Sequence, residues 1–371
     1  MKANIEKSAL LRAMNHANSV VERRNTIPIL ANVLIEAQDA KVSFRATDLD
    51  IELTDRVDAV VETAGSTTVS AQILHEIVRK LPDGAMVSLG ADPISGRLEV
   101  SAGRSKFSLA TLPREDFPMM ATAEYDCNFA LEAKDLRRLI DKSKFAMSNE
   151  ETRYYLNGVY MHIAERDGKS QLRAVATDGH RLARIDMDCP EEAQGMAGVI
   201  IPRKTVGELR KLLETDQKIA VSISETKLRF ATPDVVLTSK VIDGTFPDYT
   251  RVVPLSNNRK LEVDAKELSV AVDRVATVSS ERSRAVKFTL SEDRLVLSVQ
   301  SPDQGSAQEE MAVAYLDEGL EIGFNAKYLH EIANQIDREN AVIMLNTSGD
   351  PALITEGGDE ATLYVVMPMR V

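Results

Sequence analysis

Val69-Ser70-Ala71-Gln72-Ile73-Leu74-His75-Glu76-Ile77-Val78-Arg79-Lys80-Leu81 is written twice more in this chain, as residues 201–213 and 324–336, and the three align without a gap. Val69, Ile201 and Phe324 match, as do Leu74, Val206 and Leu329, and Ile77, Leu209 and Ile332. Glu76, Glu208 and Glu331 fall in register too. The offsets, 132 and 123 residues, bracket one third of the 371-residue chain. Self-similarity at a fixed period marks a repeat-built architecture. The chain therefore reads as three copies of one domain.

Two further anchors keep the same order. Ile5, Leu131 and Val263 each open another amphipathic helix, with Leu10, Leu136 and Leu268 five residues on and Met14, Ile140 and Val272 nine on. Asp48, Asp178 and Asp303 follow at offsets of 130 and 125 residues. Each third has one grammar: a helix, a run of alternating strands, the second helix, then further strands. Strands are expected at 32–36, 42–46, 51–57, 87–89, 98–101 and 107–109 in the first third. They are expected at 159–162, 172–176, 219–223, 228–231 and 236–240 in the second, and at 285–290, 295–299, 342–345 and 363–367 in the third. Strands that arrive in runs with short turns favour antiparallel sheet, and helices on one face of it make an α+β class. Each domain thus comprises two helices backed by antiparallel sheet. Prolines after Phe117 and Phe246 force extended predecessors, and 254–258 reads as a linker. The expected domains are 1–122, 123–255 and 256–371.

Hydrophobic residues make up 44% of the chain, enough for packed cores. The opening Met1-Lys2-Ala3-Asn4-Ile5-Glu6-Lys7 has no apolar signal core, and no apolar run approaches a membrane span. A cytoplasmic protein is expected. Cys127 and Cys189 are too few and too scattered for a disulfide framework or a zinc site. Net charge is −12, which by itself argues against nucleic acid, but the charge is segregated. Residues 6–14 carry +1, 70–81 +1, 132–144 +2, 202–213 +3, 264–274 −1 and 325–338 zero. The six helices together carry +6, so the remainder carries −18. A local basic surface on an acidic protein can still track phosphates.

Catalytic chemistry is hard to place. No glycine-rich phosphate loop is present. His75-Glu76 and His330-Glu331 begin a zincin pattern, but neither has the second histidine that zinc would need, and both sit at one repeat position. No cofactor or metal is expected. Thr177-Asp178-Gly179-His180-Arg181 is the most enzyme-like stretch, since Asp178 and His180 could form an acid–base pair. The structural alternative is a strand-ending turn in which Asp178 bonds backbone and Gly179 supplies an unusual dihedral. His180, Arg181 and Leu182 replace the Asp50, Ile51 and Glu52 of the first copy, a departure that hints at a function of the central copy. The second anomaly is the apolar end, Val365-Val366-Met367-Pro368-Met369-Arg370-Val371. Chain ends normally fray and are polar, and methionine suits surfaces that accept several peptides.

At these residues the chain resembles the bacterial β sliding clamps, the processivity subunits of DNA polymerase III. The matching segments are 24–30, Arg153-Tyr154-Tyr155-Leu156-Asn157-Gly158, 176–182, Phe246-Pro247-Asp248-Tyr249 and 364–370. The resemblance implies a head-to-tail homodimer of three-domain chains closing a ring, with twelve helices lining the hole. It implies sequence-independent contact with duplex DNA by Arg24, Asn149, Arg203 and Lys204. Helix charge adds Arg79, Lys80, Arg137 and Arg138. It implies a partner-peptide pocket of Leu156, Thr177, Gly179, His180, Arg181, Leu182, Pro247, Arg251, Val252, Val365, Met367, Pro368, Met369 and Arg370. Both sequence anomalies fall in that pocket. The implied partners are the replicative polymerase subunit, the clamp loader, and repair and translesion polymerases, each docking a short extended peptide. At the subunit contact, Phe107 and Leu109 would meet Thr277 and Val278 of a second copy, and Arg104 and Lys106 would face Asp303, Glu309 and Glu310. Thr277 stands where a larger aliphatic residue is expected. No catalysis of its own is implied. The rival readings are a repeat-built peptide scaffold that ignores DNA and a hydrolase using Asp178 and His180.

Overall fold

The computed structural model describes every residue except 23–25, 93–94, 215, 280–283 and 358. All six expected helices form: α1 (Lys7–Val20), α2 (Ala71–Lys80), α3 (Ala133–Asp141), α4 (Arg203–Leu212), α5 (Ala265–Ala276) and α6 (Ala326–Ala333). The starts of α2, α5 and α6 are chemically marked. Ser70 Oγ accepts from Ile73 N, Asp264 Oδ1 from Glu267 N and Asn325 Oδ1 from Lys327 N, which satisfies helix-end donors that have no intrahelical partner. Arg79 and Lys80 end α2, and Arg210 and Lys211 end α4, where the helix dipole favours cations. The repeat-equivalent Leu74, Val206 and Leu329 are all buried. So are Leu10, Leu136 and Leu268. The period read along the chain is therefore the period of the core. Two helices are shorter than expected: α3 ends at Asp141, and α6 ends at Ala333 with Asn334 as its cap.

By contact the chain separates into two compact units, Met1–Leu136 with Pro190–Ala197 and Lys204–Val241, and Arg137–Cys189 with Gly198–Arg203 and Ile242–Val371. In the first unit α1 packs on α2, and one 13-stranded antiparallel sheet collects the strands. That sheet joins two repeats: Ile51–Asp58 pairs with Val235–Lys240, from Asp55 against Val235 to Ile51 against Ser239. In the second unit α5 packs on α6, with a nine-stranded and a four-stranded sheet. Here Arg181–Asp188 pairs with Asp359–Val366, from Arg181 against Val366 to Ile185 against Thr362. The central third is thus divided because antiparallel ladders stitch each half of it to a neighbouring repeat.

Ser105–Leu112 and Gly305–Ala312 are among the strands with an open side. Ser105–Leu112 is bonded along one side by Arg97–Ala102 but meets Gly65–Ser70 only at Leu112 and Thr111. Gly305–Ala312 pairs with Arg294–Ser301 alone and ends its four-stranded sheet. No helix among the described residues is long and apolar enough to cross a membrane.

Candidate functional site

In the second unit an apolar patch lies on one sheet face. Its buried members are Leu156, Val175, Leu182, Ile200, Phe246, Tyr249, Leu363 and Val365. Strand register explains the grouping. Leu182 faces Val365 and Thr177, Val175 faces Tyr160 and Arg184, and Ile200 faces Tyr160. Side chains directly opposite across a ladder share a face. The irregular segment after Ile242 crosses this face, burying Phe246 and Tyr249 while Pro247, Arg251 and Val252 stay exposed. Tyr160 stacks on Phe246 with ring centres 4.9 Å apart.

The Thr177–Arg181 turn closes one end of the patch. Asp178 Oδ1 accepts from His180 N at 2.9 Å and Arg181 N at 3.0 Å, and Thr177 Oγ1 donates to Arg181 O at 2.7 Å. Gly179 takes φ +87°, a region that costs most side chains about 1–2 kcal/mol. Asp178 Oδ2 takes Arg181 Nε at 3.1 Å. Both carboxylate oxygens are therefore engaged in building the turn, which is the structural alternative given for it.

Arg181 of the expected pocket is a buried, bonded cation. It is 7% exposed. Its guanidinium is held by Asp178, by Glu331 and by Phe145 O at 2.7 Å, and lies 4.4 Å from the centre of the Tyr328 ring. Such a fully engaged cation positions the turn. The terminal residues are pinned at two points. Met367 N donates to His180 O at 2.8 Å, and Met369 N donates to Gly323 O at 2.8 Å. Met367 and Arg370 are exposed, and Pro368 and Met369 are half-buried. The structure thus brings Leu156, Leu182 and Val365 into one apolar patch, with Thr177 opposite Leu182 and Met367 bonded to His180.

Sequence reading missed Phe246, Tyr160, Tyr155, Ile200 and Leu363 as floor residues, and Gly323 and Tyr328 as supports. Phe246-Pro247 was read as a boundary because an irregular segment has no period to detect. Gly323 was the findable one: a Cβ there would collide with Val371 and come within 2.7 Å of Met369 O.

The expected DNA-contacting residues fare unequally. Arg24 lies outside the described residues. Arg79 and Lys80 are exposed on α2 and share Glu76, at 2.8 and 3.5 Å. Asn149 is exposed, and Arg137 is half-buried on α3. Arg138 donates to Thr362 Oγ1 at 2.7 Å, Asp359 Oδ2 at 2.9 Å and Asp186 O at 3.3 Å. Arg203 donates to Met147 O and Ser148 O at 3.0 and 2.8 Å, and burial pulls its pKa below the ordinary arginine value. Lys204 donates to Val20 O at 2.8 Å and pairs with Asp48. Arg79, Lys80, Arg138, Arg203 and Lys204, all counted as phosphate ligands, thus already hold protein groups.

At the expected subunit contact, Arg104 and Lys106 are exposed, and Phe107 and Leu109 are half-buried on the open strand. Phe107 joins Ile73, Ile77, Leu81 and Pro82 around a cleft of about 510 Å³. Thr277 and Asp303 are exposed and Val278 is half-buried. Glu309 and Glu310 are already paired within their own unit, to Arg274 and Arg294, whose donated hydrogen bonds hold both carboxyls below their usual pKa.

Repeated pairs of helices on antiparallel sheet, with strand ladders linking repeat to repeat, define a DNA-clamp architecture. Family models of the DNA polymerase III beta subunit match end to end: the N-terminal domain over residues 1–121, the central domain over 130–248 and the C-terminal domain over 250–370. The chain is 48% identical over 372 residues to the beta sliding clamp of Caulobacter vibrioides and 37% identical over 373 to that of Escherichia coli K12, with full coverage of each. It superposes at TM-score 0.97, with 49% identity and full coverage, on a sliding clamp (DNA polymerase III subunit beta) from Bartonella birtlesii bound to griselimycin. The chain belongs to the DNA polymerase III beta subunit family, the bacterial sliding clamps, which act as processivity factors in DNA replication.

Proposed function

We propose that two copies of this chain close head to tail around duplex DNA and tether the replicative polymerase, with partners docking peptides in the apolar patch of the second unit. One observation carries the closure. The ladder between Ile51–Asp58 and Val235–Lys240 recurs one repeat later between Arg181–Asp188 and Asp359–Val366. The strands at the corresponding third positions, Gly305–Ala312 and Ser105–Leu112, have open edges. An open edge is a template for another chain, and a head-to-tail contact closes a ring when its rotation suits. Phe107 and Leu109 would then meet Thr277 and Val278, beside Arg104, Lys106 and Asp303, and domains 1–122, 123–255 and 256–371 would each contribute two helices to the DNA-facing side.

DNA contact falls to Arg79, Lys80, Arg137, Asn149 and Arg24, with Arg203 adding net charge. Phosphate contacts position without reading sequence, and cations already shared with acids grip phosphates weakly, which suits sliding. The groove would receive the polymerase subunit, the clamp loader, and repair and translesion polymerases by short motifs; the griselimycin-bound Bartonella relative supports a ligand site on this fold. Tethering makes re-binding intramolecular at high effective concentration. The reading includes a cytoplasmic location and no catalytic activity.

The test is to load the protein on a nicked circular plasmid with a compatible bacterial clamp loader and ATP, then cut the plasmid once. Protein retained on circles and lost on linearisation supports a topological link. Equal loss from both forms overturns it and leaves a peptide scaffold that ignores DNA.

A further inference from the structure

Alongside the apolar patch, on the same sheet face, sits an arginine cluster that no role above uses. Arg173 grips Asp186 with two bonds, Nε to Oδ1 at 2.6 Å and Nη2 to Oδ2 at 2.9 Å. Its Nη1 donates to Tyr249 OH at 3.0 Å. Tyr249 OH in turn meets His162 Nε2 at 3.0 Å, and His162 Nδ1 lies 2.9 Å from Ile163 O. A carbonyl only accepts, so Nδ1 carries the proton and Nε2 accepts from the tyrosine. Burial lowers the His162 pKa, in keeping with this neutral ring. The chain Arg173–Tyr249–His162–Ile163 is complete without any outside partner.

Two more guanidiniums crowd the same carboxylate and are not satisfied by it. Arg166 Nη1 stands 3.6 Å and Arg184 Nη2 stands 3.8 Å from Asp186 Oδ2, beyond hydrogen-bond range. Arg166 Nη1 and Arg184 Nε are buried nitrogens with no hydrogen-bond partner. Asp186, the buried carboxylate of the group, is already spent on Arg173, and the exposed Asp167 comes only within 4.0 Å of Arg166 Nε. Buried donors left unsatisfied cost free energy, and like charges at close quarters repel. Burial, with Arg173 and Arg166 beside it, pulls the Arg184 pKa down. Both side chains retain a solvent-facing part, 30% for Arg166 and 17% for Arg184.

The position of the cluster says what would fill it. Leu182, Arg184 and Asp186 alternate along one strand and so share a face, with Val365 opposite Leu182 and Leu363 opposite Arg184. Successive same-face residues lie about 6.6 Å apart. The solvent-facing parts of the two guanidiniums, rather than the buried Arg166 Nη1 and Arg184 Nε, thus stand about one step beyond the apolar floor, where the next residues of an extended peptide lying on that floor would pass.

We propose that Arg184 and Arg166 receive an acidic side chain of the partner peptide whose apolar anchor sits over Leu182 and Val365. This rests on the groove being the partner-docking site. The pairing is charge-assisted and half-desolvated, the setting in which such bonds are strongest. It makes the groove select among peptides with equal apolar anchors.

The test uses the full-length chain and fluorescein-labelled hexapeptides with one Leu-Phe anchor and serine elsewhere. A single Asp, or Asn as control, is moved through the other positions, and Kd is read by anisotropy. At one position Asp should tighten binding about tenfold over Asn, and raising NaCl should erode the gain. Arg166→Gln and Arg184→Gln should each cut the gain to below about threefold while the Asn peptide binds as before. Arg166→Gln guards against a folding defect at the more buried Arg184. The inference is overturned if no Asp position gains more than about twofold, or if the variants weaken Asp and Asn peptides equally. Added inorganic phosphate should compete only with the Asp gain; competition with both peptides would also overturn it. If no peptide binds the unaltered protein, the groove reading itself fails, and this inference falls with it.

Discussion

Two turns of this molecule, one in each compact unit, share a plan and differ in what they carry. In the first repeat Asp48 Oδ1 accepts from Asp50 N and Ile51 N at 2.9 and 2.8 Å; in the second Asp178 Oδ1 accepts from His180 N and Arg181 N. Thr47 and Thr177 each donate to the carbonyl four residues on. Both turns need a left-handed residue, supplied by Gly179 at φ +87° but by Leu49 at φ +80°. The other carboxylate oxygen is spent differently. Asp48 Oδ2 takes Lys204, which is 35% exposed, whereas Asp178 Oδ2 takes Arg181, which is buried and also holds Glu331. The third copy departs further, with its positive φ at Gly305, two residues after Asp303. One local device thus closes a strand in one unit and, with a buried cation attached, closes one end of an apolar patch in the other.

The comparison breaks most strongly at its cations. Arg181→Ala should destabilise the protein by about 3 kcal/mol, since it strands partly buried acids, whereas Lys204→Ala should cost about 1 kcal/mol or less. Urea unfolding of both variants checks this, and equal losses would erase the distinction. Gly323→Ala attacks the same groove without touching the turn. Its Cβ would push the terminal residues off their strand, so peptide affinity should fall about tenfold, or about 1.4 kcal/mol, in an anisotropy titration. At the left-handed positions, Gly179→Ala should cost about 1 kcal/mol. Leu49→Gly should leave the melting temperature level or raise it slightly, because relief of strain and added chain entropy offset. The smallest effect is expected outside both turns, on α2. Glu76 holds Arg79 and Lys80, and Arg79 in turn keeps the Glu76 carboxyl below its usual pKa. Glu76→Gln should therefore strengthen binding to a short DNA duplex by roughly twofold and steepen its salt dependence.

Much of the fold was legible because periodicity is local. Leu74, Val206 and Leu329 announce a helix, its buried face and its repetition together. The turn at Asp178 was legible too, since the aspartate and the glycine that make it are neighbours. Arg181–Asp188 was harder to see. Its charged residues Arg184 and Asp186 sit on the side that carries the floor residue Leu182, so apolar alternation fails there. The segment bearing Phe246 and Tyr249 escaped as well, because it is irregular and owes its place to the sheet it crosses.

The division follows from distance along the chain. The sequence by itself determined three repeats, six helices, the turn chemistry and the apolar end, all of which depend on residues a few positions apart. Only the tertiary structure decided which charges remain available. Arg181 meets Glu331 across 150 residues, Arg138 meets Asp359 across 221, and Lys204 meets Asp48 across 156. An ion pair is set by where two side chains arrive in space, and charge counted along a helix cannot tell a cation facing solvent from one already holding a carboxylate.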